Sequence, residues 1–155
     1  MADPTIVVDA GVVLRWYVPQ VSHEHAREVR DQLREGAVAL RVPEAARYEF
    51  GHALRVKGVL GGHVSRAVYV SAVRLLDDLG LVEPLTADVL QRAAGMAVDR
   101  SLQLFDALYA ELASRLGVRL LTNDAKLARA VGDIVDVDVL RGIGGDEPPE
   151  SSVRR

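Results

Sequence analysis

The stretch TIVVDAG at residues 5–11 decides the fold, because it reads as a short buried strand that ends at an acid. Its first four residues, Thr5–Val8, are all β-branched, which is typical of a buried strand. Asp9 closes the run, and Ala10 and Gly11 carry the chain away from the strand. A desolvated carboxylate is costly unless it is paired or holds a cation, so Asp9 is a candidate functional residue.

Outward from this strand, short apolar runs alternate with segments that carry helix start and stop signals. The predicted strands span residues 5–9, 37–42, 81–85, 118–122 and 134–139. The predicted helices span residues 23–35, 44–58, 63–79, 86–100, 101–117 and 124–131, with Ser101 as the N-cap of the fifth. Because strands and helices alternate, we expect an α/β fold, a three-layer α/β/α sandwich around a central, mainly parallel sheet.

Length and composition narrow the class of protein. The chain has 155 residues and no cysteine, so disulfides and thiolate metal sites are excluded. Its net charge of −3 argues against a protein that binds nucleic acid through an overall basic surface. We expect one domain over residues 1–141 and a flexible tail over residues 142–155, which contain Gly-Gly, Pro-Pro and Ser-Ser pairs. There is no secretory signal and no apolar run near the roughly 20 residues of a membrane span, so we expect a soluble, cytoplasmic protein with no membrane partner.

Four acids occupy positions that solubility does not explain: Asp9, Glu49, Asp106 and Asp124. Asp9 and Asp124 follow predicted strands, and ligands of open α/β sheets bind outside the carboxyl ends of the strands. We therefore expect these two acids at one edge of the sheet.

Helical phase places the other two acids. At about 100° per residue, Glu49 lies near the middle of the inward face of its helix, together with Ala46 and Ala53. Asp106 opens a helix and lies at the margin of its apolar stripe. That stripe is predicted to consist of Phe105, Tyr109, Leu112, Ala113 and Leu116.

Each acid also has a simpler explanation. Asp106 and Asp124 can complement helix N-termini, which is worth about 0.3–1 kcal/mol each. The acid after the first strand can be a turn residue, and Glu49 can pair with a buried arginine such as Arg15 or Arg100. Four such acids in one short chain nevertheless favour a shared divalent metal site.

Four segments resemble the motifs of a known family. They are VVDAGVVLRW at residues 7–16, YEFGHAL at 48–54, FDALY at 105–109 and LTNDAKL at 121–127. In order, spacing and total length, the chain resembles the PIN-domain ribonucleases, most closely the VapC-type toxins of toxin–antitoxin pairs. The resemblance covers about residues 5–140 and implies a PIN-like fold.

The resemblance implies a hydrolase, an endoribonuclease that depends on Mg²⁺ or Mn²⁺ and whose catalytic acids are also its metal ligands. Asp9 and Asp106 would be the principal direct ligands, and Glu49 and Asp124 would complete the site directly or through water. Hard divalent cations prefer such oxygen ligands. An in-line water attack would leave a 5′-phosphate and a 3′-hydroxyl, and one and two metals both remain open.

Neighbouring residues are candidates for supporting roles. Thr122 and Asn123 can orient the ligands or the attacking water through hydrogen bonds. RNA needs positive charge around an acidic centre, and Arg15, Lys126 and Arg129 are the candidate rim. The alternative for all three is ordinary solvated surface.

The resemblance also implies partners: an RNA substrate, a cognate antitoxin that blocks the site, and a second copy of the chain in a homodimer. Two positions depart from the family pattern, because Gly11 stands where serine or threonine is common and His52 where asparagine is frequent. Gly11 therefore places in doubt a hydroxyl contact from that position.

Three other functions remain open. A PIN fold can bind RNA or protein without cutting. A haloacid-dehalogenase-like phosphatase also has an aspartate after its first strand, but it needs a second one where this chain has Gly11. A phosphoacceptor receiver domain needs paired acids after its first strand and a lysine after its last, and neither is evident.

Overall fold

The computed structural model of the protein describes residues 4–142. Most of the tail predicted over residues 142–155 therefore lies outside the described residues. Within them, no helix is both long enough and apolar enough to cross a membrane.

A five-stranded parallel sheet forms the middle layer of the α/β/α sandwich, which confirms the predicted fold class. The strands are β1 (Thr5–Val8), β2 (Ala39–Pro43), β3 (Val82–Glu83), β4 (Arg119–Thr122) and β5 (Val137–Val139). Their order across the sheet is β3-β2-β1-β4-β5, and every neighbouring pair is parallel. The order reverses between β1 and β4, which makes their carboxyl ends the switch point where ligands of such sheets bind.

Eight α-helices and one π-helix surround the sheet within the described residues. The α-helices are α1 (Ala10–Leu14), α2 (His23–Arg34), α3 (Ala46–Ala53), α4 (Arg66–Ala72), α5 (Leu75–Asp78), α6 (Ala87–Asp99), α7 (Leu104–Leu116) and α8 (Ala125–Val131). The π-helix Leu54–Val59 continues α3. Helix α7 packs against β1, β2 and β4, so it lies across the switch point.

The sequence did not predict helix α1, which follows β1 directly. It has only five residues, too few to show a helical period, and Asp9 caps its N-terminus by accepting a hydrogen bond from the Gly11 N–H. The segment predicted as one helix over residues 63–79 is divided into α4 and α5.

The N-cap predicted at Ser101 is wrong. Ser101 has a left-handed backbone (φ 55°), and its N–H bonds to the Val98 carbonyl at the end of α6. The residue therefore belongs to the end of α6, where left-handed residues commonly terminate helices. The N-cap of α7 is Gln103.

Candidate active site

The carboxyl ends of β1 and β4 bring Asp9 and Thr122 side by side. The Thr122 hydroxyl donates to Asp9 Oδ2 over 2.8 Å, and both residues are fully buried. The Asp124 N–H in turn donates to Thr122 Oγ1 over 3.0 Å. The structure thus places Asp9 and Asp124 at the same edge of the sheet, with Thr122 between them.

The Asp9 carboxylate is held through both of its oxygens. Oδ1 accepts from the Gly11 N–H over 2.9 Å, and Oδ2 accepts from Thr122. An ionised carboxylate only accepts hydrogen bonds, and each of its oxygens has room for more than one partner. The two bonds therefore fix the orientation of the carboxylate.

A buried phenol links the end of β1 to α3. Tyr109 on α7 is 1% exposed, and its hydroxyl lies 3.1 Å from the Ala10 nitrogen and 3.1 Å from Glu49 Oε1. Burial raises the pKa of the Tyr109 phenol well above its ordinary value, and the negative charges of Glu49 and Asp9 raise it further. Both acids are thus close enough to the phenol to act on it electrostatically.

The sequence placed Tyr109 in the core but missed its polar contacts. A signal was present, because a buried tyrosine usually needs a partner for its hydroxyl. Tyr109 also lies three residues after Asp106, so the two share one side of α7.

Glu49 and Asp106 are both buried, each with 7% of its surface exposed. Glu49 faces inward with Ala46 and Ala53, as helical phase predicted. The stripe predicted for α7 is partly wrong, since Phe105 is 39% exposed and Leu116 is 37% exposed. The buried part of α7 is continuous from Asp106 to Ala113, because the helix lies between the sheet and α6 and has no wide solvent face there.

Asp124 is the N-cap of α8. Its Oδ1 accepts from the Lys126 N–H over 2.9 Å and from the Leu127 N–H over 3.2 Å. Helix capping, which is the simpler explanation of Asp124, therefore accounts for the contacts of its Oδ1. The Asp124 side chain is partly exposed, which distinguishes it from the three buried acids.

The Asn123 side chain lies against Gly11. A Cβ built on Gly11 would be 2.0 Å from Asn123 Oδ1 and 2.5 Å from its Cγ. Asn123 is 7% exposed and follows Thr122 directly, so its amide covers the turn that carries Asp9. Absence of a side chain at residue 11 makes this placement possible.

The assignment of Arg15 to a surface rim is wrong. Arg15 is fully buried, and its guanidinium donates to the Val21 carbonyl over 2.7 Å and to the Gly11 carbonyl over 2.9 Å. It holds the segment after α1 against the first turn of α1. Lys126 and Arg129 are exposed on α8.

The four predicted acids have the ligand chemistry of a hard cation, but they do not form a ready-made cluster. Among residues 4–142, no three histidine, cysteine or acidic side chains already stand in a metal-binding arrangement. Mg²⁺ usually takes one or two carboxylates and keeps several waters, so it does not need an all-protein cage. The four acids supply oxygen donors only, which is the ligand chemistry that Mg²⁺ and Mn²⁺ prefer.

Known proteins resemble this chain in sequence and in fold. The sequence model of the PIN domain matches residues 6–133. Ribonuclease VapC3 of Pyrobaculum aerophilum is 31% identical over 130 residues, which cover 79% of this chain and 92% of that protein. Among solved structures, PAE2754 from Pyrobaculum aerophilum has a TM-score of 0.55 and 23% identity, with 88% of this chain and 92% of the other covered. FitAcB from Neisseria gonorrhoeae has a TM-score of 0.56 and 17% identity, with coverages of 85% and 95%.

Proposed function

Because this chain belongs to the PIN-domain family, we propose that it is a divalent-metal-dependent endoribonuclease and the toxin of a toxin–antitoxin pair. It is a hydrolase of RNA phosphodiester bonds. The observation that carries the proposal is the Tyr109 hydroxyl, which lies between the Asp9–Ala10 junction and the Glu49 carboxylate. Through this one group, Glu49 is tied to the residue that directly follows Asp9 at the carboxyl end of β1.

The proposed roles of the acids are those that membership of the PIN-domain family implies. Asp9 and Asp106 are the principal ligands of Mg²⁺ or Mn²⁺, and Glu49 and Asp124 complete the site directly or through water. When bound, the cation lowers the pKa of a water molecule and stabilises negative charge on the scissile phosphate. Thr122 and the Gly11 N–H hold the Asp9 carboxylate in one orientation, so that no reorganisation is needed at the moment of reaction.

RNA binding requires positive charge beside this acidic centre. Lys126 lies two residues after Asp124, is exposed, and is in the first turn of the helix that Asp124 caps. We propose that its ammonium group contacts a phosphate of the bound RNA strand. Water attack in line with the leaving oxygen then gives a 5′-phosphate and a 3′-hydroxyl.

A cognate antitoxin and a homodimer are the proposed protein partners, and the cytoplasm is the proposed location. A groove of about 430 Å³ between the turn after α1, helix α2 and helix α5 is the proposed antitoxin surface. It is lined by Trp16, Tyr17, Arg30, Leu33, Arg34, Leu75 and Leu79. Its apolar floor and two arginines suit an amphipathic segment that carries acids. We expect the antitoxin to be encoded by a short reading frame that lies next to this gene and that includes a DNA-binding motif. The antitoxin should suppress RNA cleavage when it is added to the protein.

The proposal is tested by incubating the purified protein with single-stranded RNA in Mg²⁺, in Mn²⁺ and in EDTA. We expect cleavage with either metal and none in EDTA. RNA that is bound but not cut under all three conditions would favour a non-catalytic PIN module. Cleavage that persists in EDTA would contradict the metal dependence.

A further inference from the structure

The direction of the hydrogen bonds at Tyr109 follows from the chemistry of its partners. The Ala10 N–H can only donate, so the phenol oxygen accepts from it over 3.1 Å. The single phenolic proton then points to Glu49 Oε1, also over 3.1 Å. The chain of donors therefore runs from the backbone after Asp9, through Tyr109, to the carboxylate of Glu49.

This arrangement joins three elements that are distant in sequence. Ala10 begins α1, Glu49 lies on α3 and Tyr109 on α7, with separations of 99 and 60 residues along the chain. Tyr109 also lies on the same helix as Asp106, three residues further on. A shift of α7 relative to the sheet would therefore move Asp106 and the donor to Glu49 together.

We propose that Tyr109 is a positioning residue that holds the Glu49 carboxylate at a fixed place relative to Asp9, and so prepares both for the cation. This inference rests on the proposed function, because it assumes that the two carboxylates serve one metal. Tyr109 does not touch substrate or metal. It acts through Glu49, as hydrogen-bonded partners of metal ligands commonly do.

The competing explanation is a purely structural tie between α7, α3 and the end of β1. A second tyrosine provides the comparison, because the Tyr69 hydroxyl on α4 donates to the Gly51 carbonyl on α3 over 2.8 Å. Tyr69→Phe removes a partly buried hydrogen bond to the same helix without touching a carboxylate. Tyr109→Phe keeps the buried ring and removes both hydroxyl contacts.

The test measures Mn²⁺ affinity by electron paramagnetic resonance, with thermal unfolding of the metal-free protein measured in parallel. We expect Tyr109→Phe to weaken Mn²⁺ binding by about 10-fold or more, a usual effect of losing such a partner. Tyr69→Phe should lower the unfolding temperature and leave Mn²⁺ affinity unchanged. In a Glu49→Gln background, Tyr109→Phe should have little further effect on affinity, since it acts through that carboxylate.

The outcomes separate this inference from the proposed function. Normal Mn²⁺ binding by both wild type and Tyr109→Phe would overturn the positioning role and leave the metal site standing. An equal loss of affinity with and without the Glu49→Gln substitution would show that Tyr109 does not act through the Glu49 carboxylate, and would also overturn the positioning role. Absence of Mn²⁺ binding by the wild type would overturn the proposed metal dependence, and this inference with it.

Discussion

The Asn123 side chain occupies the space that a side chain at Gly11 would need. A Cβ on Gly11 would lie 2.0 Å from Asn123 Oδ1 and 2.9 Å from its Nδ2. Gly11 also donates its N–H to Asp9, so the Asn123 amide lies directly over the turn that orients this carboxylate. The residue at position 11 and the placement of Asn123 are therefore coupled.

This coupling predicts an unusual response to alanine. Gly11 lies within α1 and Gly95 within α6, and nothing lies within 4 Å of a Cβ built on Gly95. Gly95→Ala should raise the free energy of unfolding by roughly 0.5–1 kcal/mol, as expected inside a helix. Gly11→Ala should instead lower it by about 1–3 kcal/mol, because Asn123 must move.

Urea unfolding of the two variants, with Asn123→Ala and the Gly11→Ala/Asn123→Ala pair, measures the coupling. Removing the amide should restore most of the stability that Gly11→Ala loses. If Gly11→Ala is as benign as Gly95→Ala, the Asn123 side chain moves aside without cost and the two positions are independent.

Thr122 links Asp9 to Asp124, and Thr122→Val removes the hydroxyl with little change of shape. Asp9 loses a donor and the Asp124 N–H loses an acceptor. Loss of such buried partners should cost about 1–3 kcal/mol of stability. The rate of RNA cleavage should fall by about 10-fold or more, as measured at saturating RNA.

Thr122→Ser is the matched control for this change, because it keeps the hydroxyl. We expect it to retain most of the cleavage rate. Equal rates for Thr122→Val and Thr122→Ser would show that the hydroxyl does not matter for orienting Asp9.

His25 makes the stability of the fold depend on pH. The Nδ1 of His25 accepts a hydrogen bond from the backbone N–H of Arg141 over 2.8 Å, so Nδ1 itself must carry no proton. Burial lowers the pKa of His25 below its ordinary 6.5, and the Arg141 charge lowers it further against the opposing effect of Glu28 and Asp138. The stabilisation is therefore complete above about pH 6.5 and is lost as the pH falls through the pKa of the folded state.

Thermal unfolding between pH 5 and pH 8 measures this effect, and the imidazole resonances report the pKa of His25. His25→Gln should flatten part of the pH dependence below about pH 6.5. A slope that is unchanged in His25→Gln would assign the effect to other groups.

Lys126 should contribute to RNA affinity through a phosphate contact. Lys126→Ala should reduce the slope of log affinity against log salt by about 0.7, the value expected for one contact to a single strand. Lys57 is the other lysine of the chain, lies on the π-helix after α3, and serves as the matched control. Equal slopes for Lys126→Ala and Lys57→Ala would remove Lys126 from the RNA-binding surface.

The residues at the carboxyl edge of the sheet were predictable because short sequence patterns mark where the strands end. A β-branched run followed by an acid placed Asp9, and the apolar run before Thr122 placed the neighbouring strand. Helical phase also placed Glu49 correctly, since alanines flank it on one face and Arg47 and Arg55 are exposed on the other. These features depend on short local patterns.

Features set by contacts between distant segments were not predictable. Arg15 is charged and follows an apolar run, and only the folded chain shows that the Gly11 and Val21 carbonyls surround its guanidinium. The polar role of Tyr109 depends on residues 60 and 99 positions away. The buried acid Asp106 was assigned to a margin because α7 is apolar over most of its length and shows little helical period.

The most direct test of the central claim is the rate at which Asp9→Asn cleaves single-stranded RNA in Mg²⁺. Asparagine caps helices as well as aspartate does, so the variant should keep the start of α1. It has one acceptor oxygen where Asp9 uses two, so we expect a folded protein of somewhat lower stability, which thermal unfolding will measure. The variant loses the negative charge that we propose binds the metal ion. We predict that cleavage falls to the level of a mock preparation carried through the same purification. A folded Asp9→Asn protein that cleaves RNA at the wild-type rate would contradict the metal-site assignment.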